Sequence, residues 1–118
     1  MITVKIEAVG GIKRIHPTLW KIIGFLASKL ELRDGLHIRI TSTDGDNHMP
    51  GSFHYLGRAV DFALFVTEGQ KPGNKIEEVR GYIELMAKYR NYIKKEDIDI
   101  IYYDKTNHYH IEFDPKGV

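Results

Sequence analysis

The sequence predicts an α+β fold, a small and largely antiparallel sheet with two helices packed on one face. Two segments, 17–32 and 75–92, repeat apolar residues at helical spacing. A third, 98–113, sets two short segments rich in β-branched and aromatic residues, Ile98 to Tyr103 and His108 to Phe113, on either side of Asp104-Lys105-Thr106-Asn107, as a β-hairpin does. The remaining apolar segments are short, which suits strands.

From the N-terminus, Ile2, Val4, Ile6 and Ala8 share one face of an expected strand over 2–9, ended by Gly10-Gly11. Pro17 suits the first turn of a helix, where its missing N–H costs nothing. Leu19, Ile22, Ile23, Leu26 and Leu30 then form a stripe to about residue 32. Trp20 is expected to extend that stripe into the core. Asp34-Gly35 is a turn signal. Leu36 to Thr41 reads as a strand with Ile38 and Ile40 inward. Residues 43–53 form one long polar loop rich in Gly and Pro, and 58–66 return to strand character. After a second loop over 67–74, the helix of 75–92 buries Ile76, Val79, Ile83, Met86, Tyr89 and Ile93.

At 118 residues the chain is read as a single domain, 1–118, large enough for a core without staples. Its net charge of +1 comes from scattered acids and bases, with no basic block to draw a nucleic acid. Cysteine is absent, so disulfides are excluded and the redox compartment stays undecided. The alternating N-terminus lacks the unbroken apolar run of a signal peptide. No segment approaches the ~20 apolar residues of a membrane span. The expectation is a chain made soluble in the cytoplasm, with no membrane partner and an undecided oligomeric state.

The chemistry concentrates in two places. Ser52-Phe53-His54-Tyr55-Leu56-Gly57-Arg58-Ala59-Val60-Asp61 sets a His and an Asp with six residues between them, and His108-Tyr109-His110 adds two histidines. Imidazole and carboxylate are the donors a catalytic zinc prefers, and three protein donors leave a fourth position for water. His54, Asp61 and His110 are read as that triad, holding one zinc per chain. In a plain strand His54 and Asp61 would face opposite ways, because side chains alternate with a period of two. Gly57 can supply the turn that brings them together, since it adopts positive φ without steric cost. Ala59 is small enough to leave room beside them.

The form S-x-H-x-x-G-x-A-x-D, followed by H-x-H, resembles the zinc D-Ala-D-Ala carboxypeptidase and L-alanyl-D-glutamate endopeptidase family. That family cuts bacterial cell-wall peptides and shares its fold with the Hedgehog signalling domain. The resemblance spans roughly residues 36–115, and it makes the second His of H-x-H, here His110, the third ligand. It implies a Hedgehog/DD-peptidase-like fold and a zinc metallopeptidase acting on peptidoglycan stem peptides, with no export signal and so of phage lysis or virion origin. Family members often carry an acid three residues before the last ligand; Asn107 stands there and cannot act as a base. Asp104, six before His110, is the first candidate for proton transfer, and His108 the second, for proton shuttling or oxyanion stabilisation. The family's Ser-Gly-x-Arg is also missing, so Arg58 and His48 are candidates for substrate binding, beside Ser52. Glu112 and Asp114 are the acids near enough to support a metal-bound His, although Glu112 could instead contact substrate. The alternative is a metal-binding, non-catalytic module on the same fold, such as a virion component. His16 and His37 lie outside every motif.

Overall fold

The computed structural model describes residues 2–4, 6–43, 57–66, 70–90 and 93–115. These form an α+β fold whose sheet has five strands: β1 (Ile2–Val4), β2 (His37–Ser42), β3 (Ala59–Phe65), β4 (Ile98–Tyr103) and β5 (His108–Phe113). Helices α1 (Pro17–Lys29) and α2 (Ile76–Tyr89) connect them. The sheet order is β1-β2-β3-β5-β4. The β1–β2 pair is parallel, and the β2–β3, β3–β5 and β4–β5 pairs are antiparallel.

Both helices cover the same face. Ile38 and Ile40 of β2, Val60, Phe62 and Leu64 of β3, and Tyr109 and Ile111 of β5 form one core with the α1 and α2 stripes. Phe62 and Tyr109 stack with ring centroids 5.1 Å apart. The Tyr109 hydroxyl leaves this core at one point, where it accepts the Lys75 N–H at 2.9 Å and ties the start of α2 to β5. A buried phenol needs such a partner.

The hairpin lies where the sequence put it, with Asp104 to Asn107 as its turn. Asn107 closes the turn at φ 52, a left-handed conformation that Asn tolerates better than most residues. The start of α1 is as expected, and His16 supplies a cap the sequence reading gave no role: its Nδ1 accepts the Thr18 N–H at 3.1 Å. The His16 ring also lies 5.0 Å from that of Phe113. After Lys29 the helix widens into a π-type turn over Leu30–Asp34, which Gly35 ends in the left-handed region.

Three expectations differ from the structure. The first strand stops at Val4, and 3₁₀ backbone runs from Ile6 to Arg14. Val4 pairs with Ile40, and just beyond, between Ile40 and Ser42, β2 breaks its own register with β3. The parallel ladder therefore ends where its partner stops being regular. Trp20 is 39% exposed, because the five buried residues of α1 already fill its inner face. Tyr89 is 71% exposed, because the helix ends there and the chain turns extended at Arg90 before Ile93 returns to the core. Among the described residues no helix is long and apolar enough to cross a membrane.

Candidate metal centre

The face of the sheet away from the helices carries the candidate site. Val60 and Phe62 point into the core, so Asp61 between them points out. Tyr109 and Ile111 do the same on β5, which leaves His108, His110 and Glu112 on the open side. Register then aligns them: Asp61 lies opposite His110, and His110 opposite Ile101 of β4. A period-two pattern on two paired strands is enough to bring residues 61 and 110 together.

The contacts are short. His110 Nδ1 lies 2.7 Å from Asp61 Oδ1, and His110 Nε2 lies 2.7 Å from Glu112 Oε1. All three side chains are largely covered, at 14% exposure for His110, 19% for Asp61 and 28% for Glu112. Burial disfavours the imidazolium. The hydrogen bonds to Asp61 and Glu112, with the charge of both carboxylates, outweigh it and hold the His110 pKa above the ordinary histidine value.

Gly57 adopts the positive φ expected of it. Its φ is +69, and a Cβ there would lie 2.0 Å from the Arg14 carbonyl oxygen. Its own carbonyl accepts the His16 N–H at 2.7 Å. The chain entering β3 is thereby pressed against the segment before α1, in a conformation and a space that only glycine fits. Ala59, the small residue expected near the ligands, lies opposite Glu112 on the same face as Asp61.

Two of the three expected ligands, Asp61 and His110, are therefore adjacent. His54 lies outside the described residues, as do Ser52 and His48. Among the described residues no three His, Cys, Asp or Glu side chains converge as a metal cage. Asp61, His110 and Glu112 form a line instead, with the carboxylates on opposite nitrogens of one ring. The donor chemistry still fits zinc at one end of that line. Ligands on a tetrahedral zinc with bonds of about 2.0–2.1 Å stand roughly 3.3 Å apart, so the Asp61–His110 contact of 2.7 Å would have to open by about 0.6 Å.

The other candidates separate. His108 shares the open face; its Nδ1 meets Thr106 Oγ1, and its ring stacks on Tyr103 at 4.8 Å and 18°. Asp104 is exposed in the hairpin turn. It follows Ile101, the cross-strand neighbour of His110, by three residues. His108 is two residues from His110, about 7 Å along the strand. Asn107 has its Oδ1 engaged by the Tyr102 hydroxyl at 2.6 Å. Arg58 continues the β3–β5 register opposite Phe113, whose N–H its carbonyl accepts at 2.8 Å. That parity puts Arg58 on the side of Val60 and Phe113, away from Asp61.

An arginine the motif reading passed over lies on the right side. Arg39 is exposed opposite Ala63, between the inward Ile38 and Ile40. Its parity in β2 was readable, but which strand β2 joins was not. The same holds for Ser42, which the register shift sets opposite Asp61. A separate surface groove between α2 and β4, lined by Arg80, Ile83, Glu84 and Lys95 among others, includes none of these residues. No protein-family model matches the chain, and no curated protein matches it.

Proposed function

We propose that this chain is a zinc-dependent peptidase that hydrolyses peptide bonds in peptidoglycan stem peptides. The observation that carries the reading is the His110 imidazole beside Asp61 at 2.7 Å, on the open face of a sheet whose other face is packed core. The zinc would be held by Asp61 and His110 together with His54. When bound, it supplies a water of pKa near 7 and polarises the scissile carbonyl.

The chain's own residues do the rest. Asp61 brings a negative charge that favours a cation and is largely shielded from water. His108, pinned by Thr106 and Tyr103, is the group best set for proton transfer or for donating to the developing oxyanion. Asp104 is the weaker candidate, because an exposed turn residue lacks that restraint. Arg39 is a cation on the open face that can meet a substrate carboxylate.

A second reading, a metal-binding module without catalysis, draws support from Asn107. That side chain stands where an acid is expected, and its oxygen is already committed to Tyr102. Zymography on purified cell walls, with and without chelator and with released fragments identified by mass, separates the two. Chelator-sensitive release of peptide fragments supports the peptidase. Zinc uptake with no release from any wall type supports the binding module.

A further inference from the structure

We infer that Glu112 is a positioning residue for the cation site: its carboxylate holds the Nε2 proton of His110 and so reserves Nδ1, the nitrogen beside Asp61, for the metal. The inference rests on reading the site as a metal centre. It begins from a mismatch in hydrogen-bond supply. A neutral imidazole has one N–H and one bare lone pair, while an ionised carboxylate only accepts. Yet both ring nitrogens of His110 have a carboxylate oxygen at 2.7 Å. With a neutral ring alone, one of these contacts sets lone pair against lone pair. Positive charge is needed at both ends of the ring, either as two protons or as one proton and one metal ion.

Strand geometry says which end keeps the proton. Glu112 follows His110 by two residues in β5, so the two side chains share a face as close neighbours whatever is bound. Asp61 comes from the adjoining strand and meets the ring only through register. The Glu112 contact is thus the local one, suited to fixing a tautomer. The Asp61 contact is the one that can open to admit an ion. An outer carboxylate of this kind also raises the basicity of the ligating nitrogen. The opposite assignment, with the metal between Nε2 and Glu112 and Asp61 holding the proton, uses the same atoms and is the competing arrangement.

The test uses the whole chain. Zinc affinity is measured by competition with a chromophoric chelator for wild type, Glu112→Ala, Glu112→Gln and Asp99→Ala. Asp99 lies opposite Glu112 and is exposed, so its removal changes local charge without touching the ring. Glu112→Ala should weaken zinc binding by about 10–100-fold. Glu112→Gln, whose amide oxygen still accepts the Nε2 proton, should recover part of that loss, and Asp99→Ala should bind as wild type does. In ¹¹³Cd-loaded, ¹⁵N-labelled protein, the His110 coupling to cadmium should appear on Nδ1 with the proton on Nε2. Circular dichroism of the metal-free variants separates loss of fold from loss of affinity. Wild-type affinity in a folded Glu112→Ala, or cadmium coupled to Nε2, overturns this inference and leaves the metal centre standing. A wild-type chain that takes up neither metal overturns both.

Discussion

The two faces of β3 and β5 are built from alternate residues of the same strands and could hardly differ more. Val60, Phe62, Tyr109 and Ile111 are fully buried against the helices. Asp61, His110 and Glu112, each one bond away along the chain, carry ionisable groups and stay partly open. The helix-side face is what the hydrophobic effect produces from any suitable apolar set. The open face is different, because burial alone would never gather two carboxylates around one imidazole. Partly buried charges of this kind are a poor source of net stability. Their presence therefore points to a task, and metal binding is the one proposed above.

Mutation should separate the faces most sharply at the core. Phe62→Ala removes a fully buried ring stacked on Tyr109 and should cost about 3–5 kcal/mol in a urea melt. Asp61→Ala on the neighbouring position should leave most of the stability intact in chelator. If Asp61→Ala cost as much as Phe62→Ala, the open face would be structural after all.

Next in size are the effects on metal. Elemental analysis should find about one zinc per chain in protein given zinc, matching a single His2Asp set. His54→Ala, Asp61→Ala and His110→Ala should each weaken binding by more than the ~10–100-fold typical of outer-shell changes. No divalent metal after zinc is supplied would end the metal reading. Below these comes proton transfer. His108→Ala should keep zinc and fold yet lose ~10²–10⁴-fold in turnover on stem peptides, while Asp104→Asn should be nearly silent. The reverse result would return the role to the turn residue.

The smallest effect is also the most diagnostic, because the two states of the protein should respond to pH in opposite senses. In the metal-free chain the His110 pKa is raised on folding. Its stabilising contribution is therefore complete below the unfolded value near 6.5 and is lost as pH rises through the folded value. Metal-free stability should fall over that interval, and His110→Ala should remove the fall. Zinc affinity should climb over the same interval, since the metal must displace a proton from the ring. Parallel trends for stability and affinity would mean that His110 is not the shared group.

Much of this was legible in the chain. Two strand-like segments around a polar turn located the hairpin, and the period of two put His108, His110 and Glu112 on one face. Helical spacing located α1 and α2 to within a few residues. Gly57 announced a backbone that no side chain would permit, and it has φ +69 with the Arg14 carbonyl against it. These are local properties, set by φ/ψ sterics and by which face of one element is apolar.

Pairing between distant segments was not legible, because neither periodicity nor propensity says which strand lies beside which. The length of β1 depended on where β2 ceases to be regular, so alternation to residue 9 overshot. The buried limit of α2 depended on where the core ends, which put Tyr89 outside it. Arg58 and Arg39 traded importance for the same reason, since only register tells which arginine shares a face with Asp61. Glu112 was one of two nearby acids in the sequence. Only the folded strand put its oxygen on the far nitrogen of His110 while β3 brought Asp61 to the near one. The residue types were determined by the sequence alone, but the order of carboxylate, imidazole and carboxylate was decided by two strands aligning 49 residues apart.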